Sequence, residues 1–243
     1  MSEPAALHLP AHIRQRRFAL AAQSAQALAE WVAHLLRQAI ERRGHASLVV
    51  SGGRSPVAFL EALSEQSLGW EQVCVTLVDE RWVPTDHPDS NAGMVRSALL
   101  RGAAAKARFV DLYGGQETPQ AGLKACLERL SGIARPFDVV VLGMGEDGHT
   151  ASLFAQSAEL AGLLAPDALP AAVVHPPVAP HARISLSLPG LLHSRAIFLQ
   201  ISGRRKRVVM EQACLTADPL LMPVAAVLTQ QRTPVEVFYG ACE

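Results

Sequence analysis

Residues 143–154, GMGEDGHTASLF, place two acids and a histidine among glycines directly after the apolar run FDVVVL. Asp147 is spaced to accept a hydrogen bond from the backbone or from His149. A histidine held by an acid keeps one tautomer, which leaves its other nitrogen to take a proton from water. The same spacing also suits a structural role, with Asp147 as a cap and His149 as a satisfied polar side chain. Gly143 and Gly145 are expected to let the chain turn sharply off the strand. The other histidines have no comparable setting, and His87 reads as a loop residue.

Three further segments carry candidate chemistry. In SGGRSP (residues 51–56), Gly52 and Gly53 permit positive φ and close approach of a ligand to the backbone, and Pro56 suits the first turn of a helix. Amides at such a helix start bind an anion or simply make a tight turn. SGRRK (202–206) repeats a glycine turn with cations, Lys206 among them, which either reach an anion or form a solvated face. Arg183 begins the apolar strand RISLSL, where an arginine can clamp a phosphate bidentately. Asp79-Glu80-Arg81 ends a buried strand. It is either an ion pair with helix-capping acids or a device that sets Arg81 over a carbonyl or developing oxyanion, an acid holding it. The loop WVPTDHPDSN then makes an ordered excursion over a cleft.

The elements that must position these groups follow from hydrophobic rhythm. Residues 16–43 repeat apolar positions every three or four residues and predict one long amphipathic helix stopped at Gly44. ASLVV, QVCVTLVDE, RFVDLY, FDVVVLG, AAVVHP, ARISLSLP, RAIFLQIS and PVEVFY read as strands, with helices between many of them. Strands apolar throughout that alternate with helices predict an α/β fold of three layers, α/β/α, around a largely parallel sheet. Each polar segment follows a strand, so all four are expected on one rim of the sheet. With no repeat, linker or charge run to mark a boundary, residues 1–243 are expected to form a single α/β domain with an N-terminal amphipathic helix.

Composition narrows the function classes. A hydrophobic fraction of 49% with 18% charged residues describes a globular chain. The 22 basic and 22 acidic residues cancel, so nothing favours nucleic acid as a partner. No apolar run approaches a membrane span. The four cysteines are scattered, with no CxxC or Cys/His ligand pair, which predicts reduced thiols and a cytoplasmic setting rather than a zinc or disulfide framework.

In order and spacing, SGGRSP, DERWVPTDHPDSN, GMGEDGHTASLF, the Arg183 strand and SGRRK resemble the 6-phosphogluconolactonase family, from about Leu48 to the last strand. The resemblance implies a fold similar to that of glucosamine-6-phosphate deaminase and hydrolysis of a phosphorylated sugar lactone, 6-phosphogluconolactone. It implies His149 as the base that activates water, Asp147 as its orienting partner and Arg81 as the group that stabilises charge near the lactone carbonyl. Gly52, Gly53, Ser55, Arg183 and Lys206 are implied as the phosphate cradle. No metal or organic cofactor is implied, and the molecule is expected to be a monomer or homodimer. This sequence departs from the family pattern at Arg54 and Ser55, where Ser and Thr are more usual, at Ala155 in place of proline, and in VFYGACE, which lacks an aspartate. Two rivals share the fold: a non-catalytic sugar-phosphate sensor, and an isomerase or deaminase. The deaminase pattern places Asn-Glu after its histidine, where this chain has Ser152, Leu153 and Phe154.

Overall fold

The structure, a computed structural model, describes residues 4–242. Its main sheet has seven strands in the order β1 (Arg14–Leu20), β10 (Val235–Cys242), β9 (Ile197–Ser202), β6 (Val139–Leu142), β2 (Ala46–Val50), β3 (Val73–Leu77), β5 (Arg108–Val110). Every neighbouring pair runs parallel. The helices α1 (Ala21–Arg43), α2 (Val57–Ser64), α3 (Asn91–Ala98), α4 (Pro119–Ser131), α5 (Leu160–Leu164), α6 (Leu188–Leu192), α7 (Gly203–Thr216) and α8 (Val224–Thr229) flank it. All residues of β2 and β6 are buried, as a parallel sheet covered on both faces requires. The three-layer expectation is therefore met. Among the described residues no helix is long and apolar enough to cross a membrane.

Two elements differ from the sequence expectation. The helix foreseen from residue 16 begins at Ala21, because Arg14–Leu20 pairs along its length with β10 and continues the sheet. Sheet pairing here overrides the alanine-rich helical rhythm that follows. The helix itself is as read, burying Leu28, Val32 and Leu36 and ending where Gly44, at φ 75°, sends its N–H to Ile40 O. Second, Asp79–Arg81 does not end the β3 strand. It forms β4 of a separate antiparallel sheet with β8 (Arg183–Leu186) and β7 (Ala171–Val174). Val78 is the joint: its N–H reaches Val50 O in the main sheet, and its carbonyl takes the Leu186 N–H of β8.

This topology locates a cleft. From β2 the chain proceeds outward through β3 and β5, then returns to β6 on the other side of β2. The loops after β2 and β6 therefore diverge at a switch point, where parallel sheets open a crevice at the carboxyl ends of their strands. The small sheet stands beside it as a wall.

Candidate active site

The cleft, about 160 Å³, is bordered by residues from all four polar segments, including Gly52, Gly53, Ser55, Arg81, His149 and Lys206, and by Arg183 of β8. The expectation of a shared rim is borne out for those segments. Arg54, Arg81, Arg183 and Lys206 face a single lining acid, Asp79, although the whole chain is neutral. The site is cationic by local arrangement, which suits an anionic small molecule.

The loop after β6 builds the histidine pair. Gly145 N–H donates to His149 O at 2.9 Å and Gly148 N–H to Gly145 O at 3.1 Å, closing a tight turn. The turn expected at Gly143 and Gly145 is made with positive φ at Gly148, 79°. Gly145 is needed for a different reason: a Cβ there would lie 2.3 Å from the His149 ring and 2.4 Å from Asp147 Oδ1. His149 Nδ1 is 2.5 Å from Asp147 Oδ1, whose oxygen also accepts the His149 N–H at 3.2 Å. The hydrogen bond from His149 holds the Asp147 pKa below its ordinary value, against the opposing effect of partial burial. An ionised carboxylate only accepts, so Nδ1 carries the proton and Nε2 is left with a lone pair. Phe154 packs on the ring with centroids 4.5 Å apart.

The loop after β2 is knitted to this turn by Ser51, whose hydroxyl donates to Val141 O and accepts the Gly143 N–H, both at 3.1 Å. Gly53 adopts φ 88°, a conformation an L side chain resists. Ser55 Oγ receives the Lys206 ammonium at 3.3 Å, which brings the start of α7 to the glycine loop. The neighbouring cations are used elsewhere. Arg207 binds Ala6 O and Glu211, and the exposed Arg205 pairs with Glu146 at 3.2 Å.

Arg81 and Arg183 are cross-strand partners of β4 and β8. The sequence left open an acid holding Arg81; instead its Nη1 donates to the main-chain carbonyl of Asp89 at 2.6 Å. Glu80 is the helix cap of the alternative reading. It accepts from Asn91 N and Ala92 N at the start of α3, from Arg81 N and from Ser90 Oγ. Burial nevertheless pushes its pKa up to about 7 against the pull of those backbone donors. Arg183 is buried, its Nη1 3.3 Å from Ser152 Oγ and 3.7 Å from Asp79 Oδ2, while Ser152 donates to the same Asp79 oxygen at 2.5 Å. Burial lowers the Arg183 pKa, with Asp79 opposing, and a guanidinium stays charged under such a shift. Both arginines keep a buried Nε with no hydrogen-bond partner among the described residues.

Asn91 and Ser152 were given no role from sequence, and Asp79, read as an acid capping a helix or holding Arg81, instead binds Ser152 and Arg183. Asn91 donates to Asp79 O at 2.8 Å and packs so closely on Gly52 that a Cβ there would lie 1.8 Å from its Oδ1. Each lies in or beside a quoted motif, but its role depends on pairing across the fold.

A family model described as glucosamine-6-phosphate isomerases/6-phosphogluconolactonase matches residues 19–236. The 6-phosphogluconolactonase of Pseudomonas aeruginosa is 44% identical over 234 residues, 96% of this chain and 97% of the relative. That of Mesorhizobium japonicum is 46% identical over 225 residues, covering 90% and 91%. The crystal structure of a 6-phosphogluconolactonase from Shewanella baltica superposes with a TM-score of 0.92 at 43% identity, over 97% of this chain and 100% of that one. A monomeric glucosamine-6-phosphate deaminase shares the fold, with TM-score 0.75, at 16% identity over 94% and 97%.

Proposed function

The chain belongs to the glucosamine-6-phosphate isomerase/6-phosphogluconolactonase family, and we propose that it hydrolyses 6-phospho-D-glucono-1,5-lactone to 6-phosphogluconate with water activated at His149. The reaction is a step of the oxidative pentose phosphate pathway. The observation that carries the mechanism is the 2.5 Å contact between His149 Nδ1 and Asp147, which fixes the tautomer and leaves Nε2 as the base.

His149 Nε2 takes a proton as water attacks C1. The new C–O bond forms, the C1 to ring-oxygen bond breaks, and the proton returns from the imidazolium to the departing ring oxygen. Arg81, held through Asp89 O, stabilises the charge that develops on the carbonyl oxygen. Gly52, Gly53 and Ser55 with Lys206 receive the phosphate, and Arg183 adds its positive charge from the small-sheet wall. A strained ester already has a reactive carbonyl, so no metal or organic cofactor enters these steps. One continuous apolar cluster from Leu7 to Tyr239 supports a single domain, and four unpaired cysteines support a cytoplasmic setting.

The deaminase alternative is disfavoured by the positions after the histidine. Ser152 binds Asp79, and Leu153 and Phe154 are buried in the core, which leaves no carboxylate there for ring opening. The test is hydrolysis of freshly generated 6-phosphogluconolactone with wild type, His149→Ala and an enzyme-free blank in the same buffer. Acceleration by the wild type alone is expected. Equal acceleration by both proteins removes His149 from the role of base. A wild type no faster than the blank that still binds 6-phosphogluconate makes the chain a sugar-phosphate sensor.

A further inference from the structure

The excursion between β4 and α3 carries a second histidine and acid grouping outside the hydrolytic machinery. His87 and Asp89 lie on this excursion, and His181 lies on the turn before β8. One potential ligand atom from each falls within 4.8 Å of the other two. Asp89 Oδ2 is central, 3.1 Å from His181 Nε2 and 3.9 Å from His87 Nδ1, and the two imidazoles meet edge to face with centroids 5.3 Å apart. We propose that His87, Asp89 and His181 form an accessory site for one divalent transition metal of the zinc class.

Ligand chemistry favours this metal class. Two imidazoles and a carboxylate are a common zinc donor set, with a water as the fourth ligand. Ligand atoms of a tetrahedral zinc lie roughly 3.4 Å apart, given metal–ligand distances near 2.1 Å. The two separations around Asp89 bracket that spacing, and the histidine nitrogens lie within 4.8 Å of each other, so a modest contraction closes the set. His87 Nδ1 accepts the Asp89 N–H at 3.1 Å, so it is unprotonated, and binding an ion would turn its one lone pair away from that donor. Zinc would take the place of the proton that His181 Nε2 shares with Asp89. All three side chains are partly exposed, which gives the ion a path from water.

The backbone holds the grouping in place. His87 N–H donates to Pro84 O and Ser90 N–H to His87 O, both at 2.9 Å, so His87 and Asp89 sit on a fixed turn on either side of Pro88. His181 adopts φ 70°, a left-handed conformation uncommon for a residue with a Cβ. Occupancy would join this turn to the start of β8. It would also fix Asp89, whose carbonyl positions Arg81. The site supplies no group to the hydrolysis, so it stands or falls independently of that reaction.

The test is calorimetric titration of chelator-stripped protein with Zn²⁺ alone, beside thermal melts with and without the ion. Wild type should bind one zinc with a melting temperature rise of about 5 °C at a hundredfold excess over Kd. His181→Asn, which tolerates left-handed backbone, and His87→Asn should each weaken binding at least about tenfold and remove most of that rise. His149→Ala should bind zinc as wild type does. The proposal is overturned if wild type takes up no zinc, if both asparagine variants bind it unchanged, or if His149→Ala is the variant that loses it.

Discussion

The His149–Asp147 pair reaches the cleft through His149 and the Asp79–Ser152–Arg183 cluster through Asp79 and Arg183; each centres on a carboxylate, yet they are built in opposite ways. The first lies within one turn, two residues apart, with Asp147 largely exposed. The second joins β4, the loop after β6 and β8, and every member is buried. An exposed local pair can be rearranged at little cost to the fold, because water replaces what is lost. A buried cluster cannot, since removing one member strands a desolvated charge. Chemistry and architecture are thus separated within one site.

The largest effect that would break this separation comes from His149. His149→Ala should lower kcat by about 10²–10⁴-fold, the usual reach of a general base, while shifting stability by less than about 0.5 kcal/mol. Steady-state kinetics and a thermal melt on the same preparation decide it, and a large drop in melting temperature would erase the contrast. Asp79→Ala should do the reverse to the fold. With Arg183 left buried without its acid, a loss of about 3–5 kcal/mol is expected, read by urea denaturation. Wild-type stability in that variant would show that the cluster is not structural.

Lys206→Met sharpens the contrast from the ligand side. Its contact is with the phosphate loop, so KM should rise about tenfold with kcat nearly unchanged. Inhibition by inorganic phosphate should weaken in parallel. The smallest effect is a difference in pH dependence between the buried Glu80 and the exposed Asp147. Burial raises Glu80 from 4.5 to about 7, so its contribution is fully present below about 4.5 and is lost as pH rises through about 7. Asp147 is held low, so its contribution is present above its ordinary 3.8 and is lost as pH falls through the lowered value. Melts from pH 5 to 8 should decline in the wild type and be flatter in Glu80→Gln. Asp147→Asn should differ from the wild type in slope only in acid.

The same contrast explains what could be read from the sequence. The buried parallel strands were legible because ASLVV and FDVVVL are apolar without interruption, and the histidine pair because both members share one motif. The small sheet was not, because VCVTLVDER reads as one run and the break at Val78 is made by partners in β2 and β8. Strand β1 was hidden by the alanines after it, since its strand character comes from pairing with β10. Asp79 and Ser152 lay within quoted motifs, yet their bond spans residues far apart in the chain. The His87, Asp89 and His181 grouping was missed for the same reason, His181 arriving from the turn before β8.

The pairing of β1 with β10 also sets a timetable. Strand β1 has β10 as its sole neighbour in the sheet, with Arg14 opposite Glu236, and Arg16 reaches the buried Glu236 carboxylate at 2.6 Å. A chain emerging from the ribosome with β1 ahead would carry that strand unpaired until residues 235–242 had been made. The strands β6, β2, β3 and β5, which make up the side of the sheet away from β1, are all synthesised earlier and can find one another first. Assembly would then run across the sheet from the β5 edge toward the β1 edge. The β1 edge would close last, in a docking of distant segments whose slow, non-local character is the part most open to error during synthesis.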